Sequence, residues 1–234
     1  MVRKSVHARQ DSCNNAWVKG ARTVVKPFLR LKTVGAENID PASEPAVFVG
    51  NHGSTVGPVA AACYLPVRFR PWIHDKMLDR DKATESMLGT YKDRLNFLGE
   101  KRKHRLFYWI AGLVTGAMDT FNPISVCREK ALKMKDTLRE SLDALEGGEN
   151  LLIFPERPYP DYNSTSFHHL SPTFGLLGSM YYEETGRCLA FYPCFTDKKR
   201  KRYVIGAPVY YTPAEDVRDL VVRVQDALIR ISEP

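Results

Sequence analysis

The sequence predicts an α/β fold: a mixed, mostly parallel central sheet with helices on both faces. Three observations carry this reading. Short apolar, β-favouring runs such as Ala46–Val49 and Leu151–Phe154 end in polar loops, and helical periodicity fills the intervals between them. From Pro123 to Phe154 the order strand, helix, strand is complete, with Gly147-Gly148 stopping the helix; this is the pattern of a crossover between parallel strands, right-handed by default. A length of 234 residues, 44% hydrophobic and 26% charged, suits one sizeable domain with a buried core and does not suit disorder.

The N-terminal residues differ from the rest in charge. Of the 34 Lys and Arg and 27 Asp and Glu, eight and one lie in residues 1–35, so this segment holds the whole net charge of +7 and residues 36–234 balance. The chain is therefore divided into a basic amphipathic helical segment, 1–35, and an α/β domain, 36–234. Within residues 15–31, Trp17, Ala21, Val24 and Phe28 recur at helical spacing, and Lys19, Arg22, Lys26 and Arg30 recur half a turn away. Such a helix, kinked at Pro27, suits either an anionic membrane surface or packing on the domain with its basic face in water. Nucleic acid is not expected as a partner, because no aromatic interleaving or reading motif accompanies the charge.

The first strand, Ala46–Val49, ends at Gly50-Asn51-His52, and an Ala-rich helical pattern follows Pro58, from about Val59 to Tyr64. His52 thus stands where a strand stops and a loop opens, placed either to meet a ligand or to cap the following helix. Val67–Ile73 alternates apolar and basic residues and reads as a strand with Pro71 at an edge or end. Residues 74–104 are charged and read as surface helical turns. Leu106–Met118 is apolar almost all round, either a buried helix or a wall of a lipid-accommodating groove; its 13 residues fall short of the roughly 20 that span a bilayer.

In the crossover unit, the strand Pro123–Cys127 leads to a helix over Arg128–Glu146 whose Ala131, Met134, Leu138, Leu142 and Leu145 share one face. The long stretch from Pro155 to Leu170, with three prolines, reads as a functional loop. Ser171-Pro172 opens a helix to about Glu184. Cys188–Phe195 and Tyr203–Tyr211 read as two strands, and the basic run Lys198–Arg202 between them as a solvated hairpin tip. Thr212-Pro213-Ala214-Glu215 is a capping box that starts the last helix, with Val217, Leu220, Val221, Val224, Leu228 and Ile229 inward.

Five scattered cysteines show no metal or redox spacing, and no apolar segment follows the basic N-terminus as a secretory signal requires, so reduced thiols in a cytoplasmic protein are expected. Three strand ends carry polar residues suited to chemistry: Asn51-His52, Arg128, and Pro155-Glu156-Arg157. In a largely parallel sheet such groups converge beyond the carboxyl ends of the strands. Two arginines beside a histidine suit a phosphorylated substrate, and a neutral imidazole can take a proton from a hydroxyl as it attacks a carbonyl or thioester. An α/β-hydrolase is disfavoured because no Gly-x-Ser-x-Gly elbow occurs; Ser54 is flanked by His52 and Val56 at the glycine positions.

Four ordered blocks, PAVFVGNHGSTVGP, NPISVCR, LLIFPERP and LAFYPCF, spread over about Phe28 to Tyr210, make the chain resemble the PlsC-like glycerolipid acyltransferases, the family of lysophosphatidic acid acyltransferase. The resemblance implies transfer of a fatty acyl group from acyl-CoA or acyl-carrier protein to a hydroxyl of a lysophospholipid or glycerol phosphate. It implies no metal or other cofactor, and a peripheral site on the cytoplasmic membrane face. In that picture His52 is the general base and Glu156 shapes the catalytic site. Arg128, joined by Arg157, binds phosphate, and Asn51, Gly53, Ser54, Gly57 and Pro155 form the site loops. The chain departs from the pattern twice. The family's aspartate falls at Gly57, and Arg157-Pro158-Tyr159 replaces the Gly-Thr-Arg after Glu156. Either a carboxylate from elsewhere (Glu156, Asp161 or Asp75) serves His52, or the chain is a lipid-binding relative with little or no catalysis.

Overall fold

The computed structural model describes residues 26, 29–53, 56–91, 99–127, 131–156 and 170–233. The strands are β1 (Lys32–Val34), β2 (Ala46–Gly50), β3 (Arg70–His74), β4 (Ile124–Val126), β5 (Leu151–Ile153), β6 (Ala190–Asp197), β7 (Arg202–Ile205) and β8 (Val209–Tyr210). The α-helices among the described residues are α1 (Val56–Tyr64), α2 (Arg80–Tyr91), α3 (Glu100–Asp119), α4 (Ala131–Glu146), α5 (Leu176–Thr185) and α6 (Val217–Ser232). The fold is α/β, with a mixed, mostly parallel sheet and helices around it, as the alternation of runs predicts. By contacts the described residues group into two compact units, one drawn from 71–137 and the other from 26–70 and 138–233.

The second of these units holds β1, β7, β6, β2 and β5 in that order, with β8 also on β6. β2 runs parallel to both β5 and β6, and every residue of β2 is buried, so its near-continuous apolar run reflects a strand covered on both faces. Phe48 stacks on Tyr192 with ring centroids 5.1 Å apart, and Phe191 meets Phe174 on the other side of β6 at 6.0 Å. The buried Asn150 fastens the start of β2: its Oδ1 accepts from the Ala46 N–H at 2.9 Å, and its amide donates to the Arg68 carbonyl at 3.1 Å. β6 carries Pro193 in mid-strand, where a missing N–H ordinarily breaks a ladder. Here β8 pairs with Ala190–Phe191 and β7 with Cys194–Asp197, so the proline falls in the gap between them, and Gly206 N–H donates to its carbonyl at 2.8 Å.

The last helix begins later than the Thr212 capping box predicts. Glu215 does accept from the Thr212 N–H at 2.7 Å, but its carboxylate is also drawn to Arg223 (2.6 Å), and residues 212–215 stay a turn. Asp216 is the actual cap, accepting from Arg218 N–H at 2.7 Å. Leu220, Val221, Val224 and Leu228 are buried, as the periodicity predicts. At the other end of the chain, most of the 15–31 segment lies outside the described residues. Its close is anchored on α1, since Leu31 N–H donates to the Tyr64 hydroxyl, which donates to the Lys26 carbonyl, each at 3.1 Å.

In the other unit β3 and β4 form a parallel pair. Among its described residues, the charged stretch 74–104, read as surface helical turns, holds a 3-10 turn, α2 and the start of α3. These two helices meet through Arg80, whose guanidinium lies 3.8 Å from the Tyr108 ring centroid and whose Nε donates to the Tyr108 carbonyl at 3.0 Å. Gly112 leaves the room for it, because a Cβ there would come within 2.7 Å of Arg80 Cζ.

Candidate functional site

The site is best built from the end of β2. Asn51, the next residue, is 3% exposed and turned inward. Its Oδ1 accepts from the Thr196 N–H of β6 at 2.8 Å, and its own N–H donates to the Cys194 carbonyl at 3.3 Å. It therefore ties the strand end to β6, where an unpartnered main-chain N–H would cost about 1–3 kcal/mol. The chain then surfaces: His52 is exposed, its ring edge-on to Phe154 with centroids 5.7 Å apart.

The main chain of His52 is held on both sides. Glu156, beyond β5, accepts from the His52 N–H through Oε2 at 3.0 Å, and the His52 carbonyl accepts from Gly57 N–H in α1 at 3.1 Å. Of the three carboxylates considered for His52, Glu156 thus meets it through the backbone. Glu156 is itself positioned by a bridge to Leu170, and the buried Pro155 carbonyl accepts from Ser171 N–H at 2.9 Å, so both ends of segment 157–169 are clamped beside the site. Gly53 continues the chain in the left-handed region, with φ 47°.

Gly57 explains the departure at the position where the family carries aspartate. A Cβ at residue 57 would stand 1.9 Å from the Asn51 carbonyl oxygen and 2.7 Å from that of His52. The first turn of α1 is packed backbone to backbone against the histidine loop. Within this arrangement no side chain fits at 57, so the position holds no carboxylate for steric reasons.

Ser54, Arg128, Arg157 and Asp161 lie outside the described residues. Of the expected site residues the structure brings together His52, Glu156, Asn51, Gly53, Gly57 and Pro155. It also adds Phe154, whose ring borders His52 and which sequence reasoning passed over as strand core.

A second histidine at a strand end went unmarked in the sequence. His74 closes β3, and its Nδ1 lies 2.9 Å from Asp75 Oδ1 and 3.3 Å from the Lys76 main-chain nitrogen. Nδ1 accepts from the Lys76 N–H, and the Asp75 carboxylate stands beside the ring. Burial raises the Asp75 carboxyl, but the His74 charge, the Lys76 N–H, the Cys127 thiol and Lys133 outweigh it and hold the group below its ordinary value. The only available signal was the adjacent His74-Asp75 pair itself, after a β-like run.

Cys194, in β6, is buried, and burial pushes its thiol up to about 12. No protein-family model matches this chain, and no curated protein matches it. Among the described residues, no helix is long and apolar enough to cross a membrane.

Proposed function

We propose that the protein is an acyltransferase that moves a fatty acyl group from acyl-CoA or acyl-carrier protein to a hydroxyl of a lysophospholipid or glycerol phosphate. Its place of work is the cytoplasmic face of a membrane. The observation that carries this reading is the setting of His52: an exposed imidazole at the carboxyl end of a doubly covered parallel strand, its main chain fixed from both sides by Glu156 and Gly57.

In this mechanism the neutral imidazole of His52 takes the acceptor hydroxyl's proton as the oxygen attacks the thioester carbonyl. A C–O bond forms, the C–S bond breaks, and the imidazolium returns the proton to the departing thiolate. General base catalysis of this kind contributes about 10² to 10⁴ in rate. Glu156 acts as a positioning residue, since its carboxylate fixes the loop that carries the ring. Arg128 and Arg157 are the groups assigned to the acceptor phosphate, on the strength of the motif resemblance.

The test is acyl transfer from a thioester donor to a panel of lysolipids and glycerol phosphate, with wild type and His52→Ala side by side. Product from the wild type that falls at least a hundredfold in the variant supports the reading. A second reading, a lipid-binding relative without catalysis, draws support from position 57, where no carboxylate can stand. Background product in both proteins, with lysolipid still bound, would decide for it.

A further inference from the structure

Helix α3 turns toward solvent the side chains that a helix ordinarily buries. Its buried residues are Lys103, Phe107, Ala111 and Thr115, one every four positions. Half a turn away stand Arg102, Arg105, Leu106, Trp109, Leu113 and Gly116, all exposed. Trp109, at the middle of this side, is 61% exposed, and Leu106 and Leu113 beside it are 38% and 40% exposed. Neither of the expected roles for this stretch, a buried helix or a groove wall, describes such a side.

The stripe is graded along the helix. Exposed Lys101, Arg102 and Arg105 occupy the first turns, Trp109 the centre, and Leu113 and Gly116 the last turns. These cations are placed against the helix's own interest, because positive charge near an N-terminus opposes the macrodipole. Lys103, the neighbour that is buried, is matched by Glu100 at 3.0 Å, so the local carboxylate is engaged on the buried cation. An anionic surface outside the protein would reward the exposed three.

We propose that this side of α3 docks the protein on an anionic lipid surface. Lys101, Arg102 and Arg105 meet the headgroup phosphates, Trp109 lies at headgroup depth, and Leu106 and Leu113 reach the first acyl methylenes. Charge selects this occupant: exposed cations grade directly into apolar groups, as a bilayer interface does. The side sets three part-exposed apolar residues beside three exposed cations, a composition that suits lipid headgroups and the first acyl methylenes. The docking side belongs to the described residues and is separate from the 15–31 segment. It does not rest on acyl transfer, since its test reads no activity.

The full chain is mixed with vesicles of phosphatidylcholine alone or of phosphatidylcholine with phosphatidylglycerol, and bound protein is measured by sedimentation. Wild type binds the anionic vesicles and leaves them as salt rises. The Arg102→Gln/Arg105→Gln variant binds about thirtyfold more weakly, and Leu106→Ser/Trp109→Ser/Leu113→Ser binds at least about tenfold more weakly. Phosphatidylglycerol brominated near the glycerol quenches the wild-type tryptophan emission, and Trp109→Phe binds nearly as well but loses most of that quenching. Equal quenching in wild type and Trp109→Phe overturns the assignment, as does equal binding to neutral and anionic vesicles. Should the triple variant misfold by circular dichroism, the charge variant and the quenching comparison still decide. A dimer on gel filtration that the triple variant abolishes, with vesicle binding intact, overturns the proposal in favour of a second copy of the chain.

Discussion

Two strand ends in this molecule carry a histidine and a carboxylate, and they use them differently. After β2 the Glu156 carboxylate holds the backbone of His52 and the ring faces outward beside Phe154. After β3 the Asp75 carboxylate meets the His74 ring itself, at 2.9 Å. The first arrangement fixes where an imidazole stands; the second sets a carboxylate beside the ring itself. A general base wants both, and in histidine–carboxylate pairs of known enzymes the second is worth orders of magnitude. The contrast teaches that a carboxylate at a strand end can hold a histidine loop by its main chain.

The comparison breaks most decisively on activity. His52→Ala should lower acyl transfer by about 10² to 10⁴ with an unchanged circular dichroism spectrum, while His74→Ala leaves the rate within about tenfold. The opposite ranking in steady-state assays would move the base to the β3 end. The next largest effect is on stability. Gly57→Asp, which restores the family's residue, should destabilise the fold by about 3 kcal/mol in urea unfolding and should raise no activity, because its Cβ collides with the Asn51 carbonyl. A stable, more active Gly57→Asp variant would show that the loop can yield.

Asn51→Ala leaves the Thr196 N–H buried without its acceptor and should cost about 1–3 kcal/mol in the same measurement. At Glu156 the charge and the hydrogen bond separate. Glu156→Gln keeps an oxygen for the His52 N–H and should hold stability within about 0.5 kcal/mol of wild type, whereas Glu156→Ala should cost about 1 kcal/mol. A large activity loss in Glu156→Gln would assign the carboxylate a charge role beyond positioning.

The smallest expected effect is the acid limb of stability. The Asp75 carboxyl is held below its ordinary value, so its contribution is fully present above the unfolded value of about 3.9 and is lost as pH falls through the lower folded value. Thermal unfolding of Asp75→Asn should be flatter with pH below about pH 4 than that of wild type.

Much of the scaffold was legible in the sequence, because period-2 and period-3.6 patterns report burial directly. The apolar run before Asn51 gave β2, the proline-bearing LAFYPCF gave β6, and the spacing of Leu220, Val224 and Leu228 gave the buried side of α6. α3 hid its orientation, since its buried side includes Lys103 and Thr115 and its exposed side carries Trp109 and two leucines. No hydropathy rule assigns such a helix its inward face. The start of α6 was misjudged because Thr212 and Glu215 form one half of a capping box without the helical turn that usually accompanies it.

At the strand end, the position of His52 after β2 was legible and the contacts around it were not. Asn51 resembles a ligand-facing residue in the one-dimensional motif, yet its amide oxygen is used on β6, across 145 residues of chain. The constraint at Gly57 is a contact between two backbones, and a backbone contact leaves no mark in residue chemistry except the glycine itself. That Glu156 grips the main chain of His52 is visible only in the fold.

The clamp at the base of segment 157–169 has a practical consequence. The Glu156–Leu170 bridge and the Ser171 N–H on the Pro155 carbonyl join the two ends of the segment independently of what lies between them. The grip of Glu156 on His52 is thus coupled to residues 170 and 171, so Ser171→Pro, which removes the N–H that the Pro155 carbonyl accepts from, would loosen the histidine loop from a distance.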